Sequence, residues 1–222
     1  MNLLAIDTST ELASVALMCD GNITCEQQDS PKTHAQHILP MIDKLMSDAN
    51  LSMSQLNGII FGCGPGSFTG LRIACSVAKG LAYSYDLGLI PVSSLGAIAW
   101  AAREQQSDVD LPILAVLDAR MNELYWSYFA PKQSIGIEKV SAAGNIMLPN
   151  VEPIMLAGVG MDLYWPDFSH AIKSQVIIKT EVFPTASAMI SLAINSDIQQ
   201  VSVEKAEPIY VRNQVTQGIS RG

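Results

Sequence analysis

The sequence predicts a duplicated α/β unit, and three observations point there. Both halves run strands first and strand–helix units afterwards. The apolar run Ile113-Leu114-Ala115-Val116-Leu117-Asp118 echoes Leu3-Leu4-Ala5-Ile6-Asp7, with the two aspartates 111 positions apart in a 222-residue chain. Hydrophobic residues make up 49% and charged residues 15%, which excludes a disordered chain and leaves ample material for a core.

Taken in order, Leu3 to Ile6 is a short continuous apolar run, Ser14 to Met18 alternates, and Asn22 to Gln27 returns after Asp20-Gly21. Three strands joined by tight turns are expected. With Asp20-Gly21 as a two-residue turn, Cys19 falls opposite Asn22 and Cys25 opposite Ala16, so these two thiols do not meet. From His34 to Ala49 apolar residues recur at helical spacing. Pro40 lies inside that pattern and predicts a kink or a late start. Ile59-Ile60-Phe61 reads as a buried strand that enters the Gly-rich segment 62–70, followed by an apolar helix to about Tyr85. Leu89 to Val92 and Ser94 to Glu104 add a strand and a helix. The polar stretch Gln105 to Asp110 marks the boundary, giving an N-terminal lobe over 1–108 and a C-terminal lobe over 109–222. In the second half a hairpin follows Asp118. Ile154 to Ala157, a helix near Met161 to Trp165, Val176 to Ile178 and a helix from Thr185 to Asn195 then complete the copy. The tail Pro208 to Arg212 is expected to be extended and to pack back on a sheet of the first lobe.

Composition also narrows the partners. The formal charge of −8 and pI near 4.7 argue against a chain that grips a nucleic-acid backbone, which needs clustered Lys and Arg. So few charges on so apolar a composition leave surface for a protein partner. No Lys or Arg precedes Leu3 to Ile6, and Asp7 ends that run too early for a leader. The uncharged stretch Ala49 to Leu71 is too rich in Gly, Ser, Asn and Pro to span a bilayer. Four cysteines without a C-x-x-C pair read as reduced core residues of a cytoplasmic protein.

The Gly-rich loop feeding a helix is the most informative segment. Gly64, Gly66 and Gly70 allow close backbone approach, and a helix starting near Ser67 would turn free N–H groups toward an anion. It is not a Walker A loop, since Leu71-Arg72 follows Gly70, and Thr69 breaks the dinucleotide fingerprint. A tight turn without a ligand is the plainer alternative. On the helix that follows, Gly70, Ala74, Ala78 and Ala82 form a small-residue stripe flanked by Leu71, Val77 and Leu81. It serves either packing on the chain's own sheet or close contact with a helix of another chain. The broad apolar face of the preceding helix, with Met41 and Met46, leans toward the second. His34 and His37 lack a third ligand, so no metal is expected. Asp7 and Asp118, each ending a first strand, stand where a two-lobed phosphotransferase would hold magnesium, although strand-end carboxylates more often serve as caps.

These residues together resemble a known family. Leu-Ala-Ile-Asp-Thr-Ser at 4–9, His34 followed by Ile38-Leu39-Pro40-Met41-Ile42, and Gly-Pro-Gly-Ser-Phe-Thr-Gly-Leu-Arg at 64–72 are similar to the bacterial TsaB (YeaZ) proteins. So are Ala78-Lys79-Gly80-Leu81-Ala82, Pro91 to Leu95, Asp118-Ala119-Arg120 with Glu123 and Tyr125, and Pro208 to Arg212. The resemblance implies the two-lobe fold shared by actin, sugar kinases and the heat-shock ATPases (the ASKHA fold), each lobe a mixed sheet flanked by helices. It implies an accessory role in making threonylcarbamoyladenosine in tRNA, beside the catalytic paralogue TsaD. The implied assemblies are a TsaD heterodimer, a homodimer in isolation and TsaE reached through the TsaB–TsaD complex. Any tRNA contact is indirect or weak, and no membrane is involved. The implied contact lies on helices of the first lobe, with Ile38, Met41, Ile42, Leu45, Leu71, Ala74, Cys75, Ala78, Leu81 and Ala82 as its residues.

Departures from the paralogue set the expected chemistry. Its metal-binding His-x-x-x-His has no counterpart in Val92 to Trp100, and Leu117-Asp118-Ala119-Arg120-Met121 replaces a Gly-rich phosphate loop. No catalytic residue, metal or cofactor is expected, beyond weak nucleotide binding at vestigial loops holding Asp7, Thr8, Ser9, Gly64 and Gly66. The competing reading is a nucleotide-dependent phosphotransferase that uses Asp7 and the 64–70 loop. A protease, which names given to this family suggest, lacks an activated nucleophile or water.

Overall fold

The structure is a computed structural model and describes residues 1–29 and 34–212; residues 213–222 of the expected second lobe lie outside it. Strand β1 (Leu3–Asp7) pairs antiparallel with β2 (Leu12–Cys19), and β2 with β3 (Asn22–Asp29). The turn between β2 and β3 carries positive φ at both Asp20 (50°) and Gly21 (83°), the left-handed pair a two-residue hairpin needs. Cys19 faces Asn22 and Cys25 faces Ala16, and all four cysteines are free. Strands β4 (Gly58–Gly64) and β5 (Leu89–Ser93) join in parallel, so the sheet runs β3-β2-β1-β4-β5. In the second half β6 (Ile113–Asp118), β7 (Leu124–Phe129), β8 (Lys139–Ser141), β9 (Ile154–Gly158) and β10 (Val176–Glu181) run β8-β7-β6-β9-β10. The two orders are the same when β1 is laid on β6, so the echoed strands hold equivalent central places. This is the two-lobe architecture the resemblance implies.

The helices make the two copies unequal. Helix α1 (His34–Asp48) and α2 (Phe68–Tyr85) cover the outer face of the first sheet. Among the described residues α1 has no counterpart in the second lobe, where only the short α4 (Met161–Tyr164), α5 (His170–Gln175) and single turns cover the outer face. Helix α1 runs through Pro40 from His34, so the late start is not found. Pro40 and Gln36, whose carbonyl loses its partner, both face water.

Between the sheets lie α3 (Ser94–Gln105) and α6 (Ala186–Ile194), each of which follows the last strand of its own lobe and packs on the other. Leu95, Ile98, Ala99 and Ala102 of α3 meet Ile113, Ala115, Phe129 and Met155 of the second sheet. Ala186, Met189, Ile190 and Leu192 of α6 meet Leu3, Ala5, Ile60 and Val92 of the first. Burial of these apolar faces, at about 25 cal/mol per Å², makes each lobe depend on a helix supplied by the other half of the chain. Sequence periodicity finds both helices but assigns each to its own half.

After α6 the chain returns to the first lobe. Val201 bridges the edge strand at Leu89, and the Ala206 carbonyl accepts from Lys79 Nζ at 3.0 Å. The Ile209 N–H donates to the Cys63 carbonyl at 2.7 Å.

Candidate functional site

A cleft of about 950 Å³ opens between the lobes at the carboxyl ends of β1 and β6, the position where open α/β sheets expose loops to a ligand. Its first-lobe wall is the Gly-rich loop together with Ser9, Thr10 and Glu11. Its second-lobe wall is the turn Asp118 to Met121 with Tyr125, and the tail Ile209 to Arg212 crosses it.

In the first lobe the glycines serve the chain's own backbone. A Cβ at Gly70 would lie 1.8 Å from the Thr8 carbonyl oxygen, and one at Gly66 would lie 2.4 Å from that of Ser9. The Ser67 N–H donates to the Ser9 carbonyl at 2.7 Å, while the Thr8 hydroxyl donates to the Gly70 carbonyl at 2.6 Å. Ser67 caps α2 by accepting from the Gly70 N–H at 3.3 Å. The two loops are therefore stitched to each other, and these groups are spent internally. Of the residues the sequence reading assigns to vestigial phosphate loops, Asp7 and Thr8 are fully buried and do not reach the cleft wall. Gly64 is buried beneath the Ile209 carbonyl, so only Ser9 and Gly66 border the cleft. The placement corrects the expectation that the five act together toward a nucleotide: a phosphate entering the cleft meets neither the Asp7 carboxyl nor the Thr8 hydroxyl.

Asp7 instead looks into the protein. One carboxylate oxygen accepts from the Ser9 N–H and hydroxyl, at 3.2 and 2.9 Å, and the other is buried without a partner. Burial raises its pKa from 3.8 to about 7, against the lowering effect of the Ser9 hydrogen bonds.

The second-lobe wall is built from side chains. Arg120, Met121 and Asn122 all have positive φ (62°, 57° and 60°), three successive left-handed residues that cost on the order of 1 kcal/mol or more each. Asp118 holds this turn by accepting from the Arg120 N–H at 2.7 Å and pairing with its guanidinium at 2.9 Å. The Tyr164 hydroxyl also donates to Asp118 at 2.7 Å, and burial together with that carboxylate pushes the phenol up to about 12. The turn projects Arg120 and Met121 into solvent at the cleft. Sequence reasoning misses Glu138. Half-buried between the lobes, it accepts from the Ser93 hydroxyl that also caps α3, and partial burial raises its pKa. No local pattern marks it, because its partner is 45 residues away.

The expected contact residues divide sharply. Ile38, Ile42, Leu45, Leu71, Ala74, Cys75, Ala78 and Ala82 are buried, and only Met41 and Leu81 are half-exposed. The small-residue stripe packs with Leu4, Ile6, Ile59 and Phe61, so it faces the chain's own sheet and is closed to another chain. The reason is geometric: helix α2 must approach β1 and β4 closely enough for Thr8 to touch Gly70, and only small residues permit that. The open side of α1 and α2 presents Leu39, Met41, Ile73, Val77, Leu81 and Tyr83. His34 is not free for a ligand set: its Nε2 lies 2.9 Å from the Glu11 carbonyl.

Comparison with known proteins converges on one group. The family model described as "TsaD: tRNA N6-adenosine threonylcarbamoyltransferase" matches residues 23–214. The tRNA threonylcarbamoyladenosine biosynthesis protein TsaB of Haemophilus influenzae is 35% identical over 97% of this chain and 95% of its own. The Escherichia coli protein of that name is 33% identical over 97% of this chain and 96% of its own. The solved structure of YeaZ from Pseudomonas aeruginosa superposes with a TM-score of 0.84 at 32% identity, covering 94% of this chain and 99% of that one. A second Pseudomonas aeruginosa structure, described as an uncharacterized protein with similarity to peptidase YeaZ, gives 0.85 at 32% identity, covering 95% and 99%. On this sequence identity, this coverage and this fold, the chain belongs to the TsaB (YeaZ) family.

Proposed function

We propose that this chain acts in tRNA threonylcarbamoyladenosine biosynthesis as a non-catalytic subunit that binds a TsaD-type paralogue through the open side of α1 and α2. The observation that carries the reading is the first-lobe loop pair. Its hydrogen-bonding groups and its buried aspartate are directed inward, while a long two-helix face with half-exposed apolar residues is directed outward. In isolation the same face would pair two copies of this chain, and the heterodimer would displace that pairing. TsaE would join through the complex, tRNA would be held mainly by the other subunits, and the cytoplasm is the proposed site of action.

Reconstitution tests both parts. Threonylcarbamoyl transfer to tRNA by the TsaD-type subunit and its adenylate supply should fall at least about tenfold when this chain is omitted. Equal rates with and without it would remove the reading. Val77→Arg and Leu81→Arg place charges on the half-exposed row and should weaken association by about 2 kcal/mol or more, roughly thirtyfold, with the thermal midpoint held within a few degrees. Wild-type affinity in both variants, measured by analytical ultracentrifugation, would move the contact elsewhere.

A further inference from the structure

We infer that Pro208 to Arg212 is a displaceable strap that closes the cleft from within the same chain and holds a seat for an aromatic anion. The segment has no helix or ladder of its own. Its first-lobe anchors are the Ile209 N–H on the Cys63 carbonyl at 2.7 Å and the Tyr210 ring, centred 5.2 Å from that of Phe68. Arg72 completes the seat: its guanidinium lies 3.8 Å from the Phe68 ring centre, and its Nε donates to the Tyr210 hydroxyl at 3.1 Å. Two residues on, Arg212 reaches the other lobe, pairing with Glu123 and lying 3.1 Å from Met121 Sδ. The strap thus ties the Gly-rich loop to the Asp118 turn across the cleft mouth.

What it closes is larger than the cleft alone. Val211 borders both the cleft and a shallow groove of about 490 Å³ beside β8, where Trp126 and Lys139 stand. The strap is the partition between the two, and lifting it joins them. It can lift, because Ile209 and Tyr210 stay 50% and 41% exposed and the exposed Arg72–Tyr210 pair is individually weak, which leaves the more buried Arg212–Glu123 pair as the tie that must open. The chemistry of the seat names what can replace Tyr210. An aryl ring stacks on Phe68, and an acceptor or anionic group on that ring meets Arg72, with the exposed Arg120 across the cleft.

The test uses the full chain and 8-anilinonaphthalene-1-sulfonate, an aromatic sulfonate, as the probe. Tyr210→Ala with Arg212→Ala should accelerate hydrogen exchange at the Ile209 amide by about tenfold or more and tighten dye binding by a similar factor. The thermal midpoint should hold within a few degrees. Adding Phe68→Ala should cancel the gain in dye binding. Faster exchange without tighter binding would overturn the seat, and unchanged exchange would overturn the strap. Should the double variant fail to fold, Glu123→Gln releases the second-lobe end alone. It must then move both readouts in the same direction to a smaller extent, and no movement would count against the proposal.

Discussion

Ala78→Arg is expected to abolish cooperative folding of the chain, well beyond any effect on association. Ala78 has no exposed surface and sits in an apolar layer among Leu4, Ile6, Ile59 and Phe61. Burying an unpaired charge there costs on the order of 5 kcal/mol, and forcing a long side chain into a packed layer adds about 1–3 kcal/mol. Together these rival the whole stability of a typical domain, about 5–15 kcal/mol. The first sheet also carries α6, so its loss would uncover the inner layer shared with the second lobe. Circular dichroism should show no thermal transition for Ala78→Arg, whereas Val77→Arg, one position away and half-exposed, should melt within a few degrees of wild type. A folded Ala78→Arg protein that has only lost its partner would return the small-residue stripe to the surface.

That contrast shows what the sequence could reveal and what it could not. The strands were legible because each is a short apolar run bounded by turn residues, as at Leu3 to Ile6 and around Asp20-Gly21, where the hairpin register follows from the turn alone. The duplication was legible because Asp7 and Asp118 end equivalent central strands. The side of α2 that faces the sheet was not. A stripe of small residues permits close approach by any surface, and only the contact of Gly70 with the Thr8 carbonyl identifies which. The exchange of α3 and α6 between lobes escaped for a related reason: apolar periodicity says that a helix is buried, never against what. Short α5 escaped because six residues carry too little periodic signal, although the Ser169 hydroxyl caps it. Glu138 and the Phe68–Tyr210–Arg72 group join residues 45 to about 140 positions apart, a range at which no local pattern speaks. The sequence therefore names loops that border the cleft, while the direction in which their side chains point required the fold.

Asp7 gives the clearest case of such a direction, and a second large expected effect follows from it. Its partnerless oxygen lies against Gly62, where a Cβ would come within 2.0 Å of it, and near the methyl of Met189 on α6. Ionising the carboxyl there leaves charge in an apolar layer, and burial outweighs the Ser9 hydroxyl and the Ser9 and Thr8 backbone groups that offset it, lifting the pKa from 3.8 to about 7. In the unfolded chain the same group ionises near 3.8. Between about pH 4 and pH 7 the folded state therefore holds more protons than the unfolded state, and stability falls as pH rises through that window. Above it the cost is constant. The interval from 3.8 to about 7, at about 1.36 kcal/mol per pH unit, corresponds to roughly 4 kcal/mol. Asp7→Asn keeps the shape, still accepts from Ser9, and cannot ionise. It should match wild type near pH 4 and exceed it by roughly 4 kcal/mol at pH 8, with the difference opening across the interval between. Chemical denaturation of both proteins at several pH values measures that difference directly and cancels the other titrating groups. Parallel stability curves from pH 4 to pH 8 would mean that Asp7 meets water or a cation in solution. Its carboxylate would then be open to the cleft, as a phosphotransferase would require.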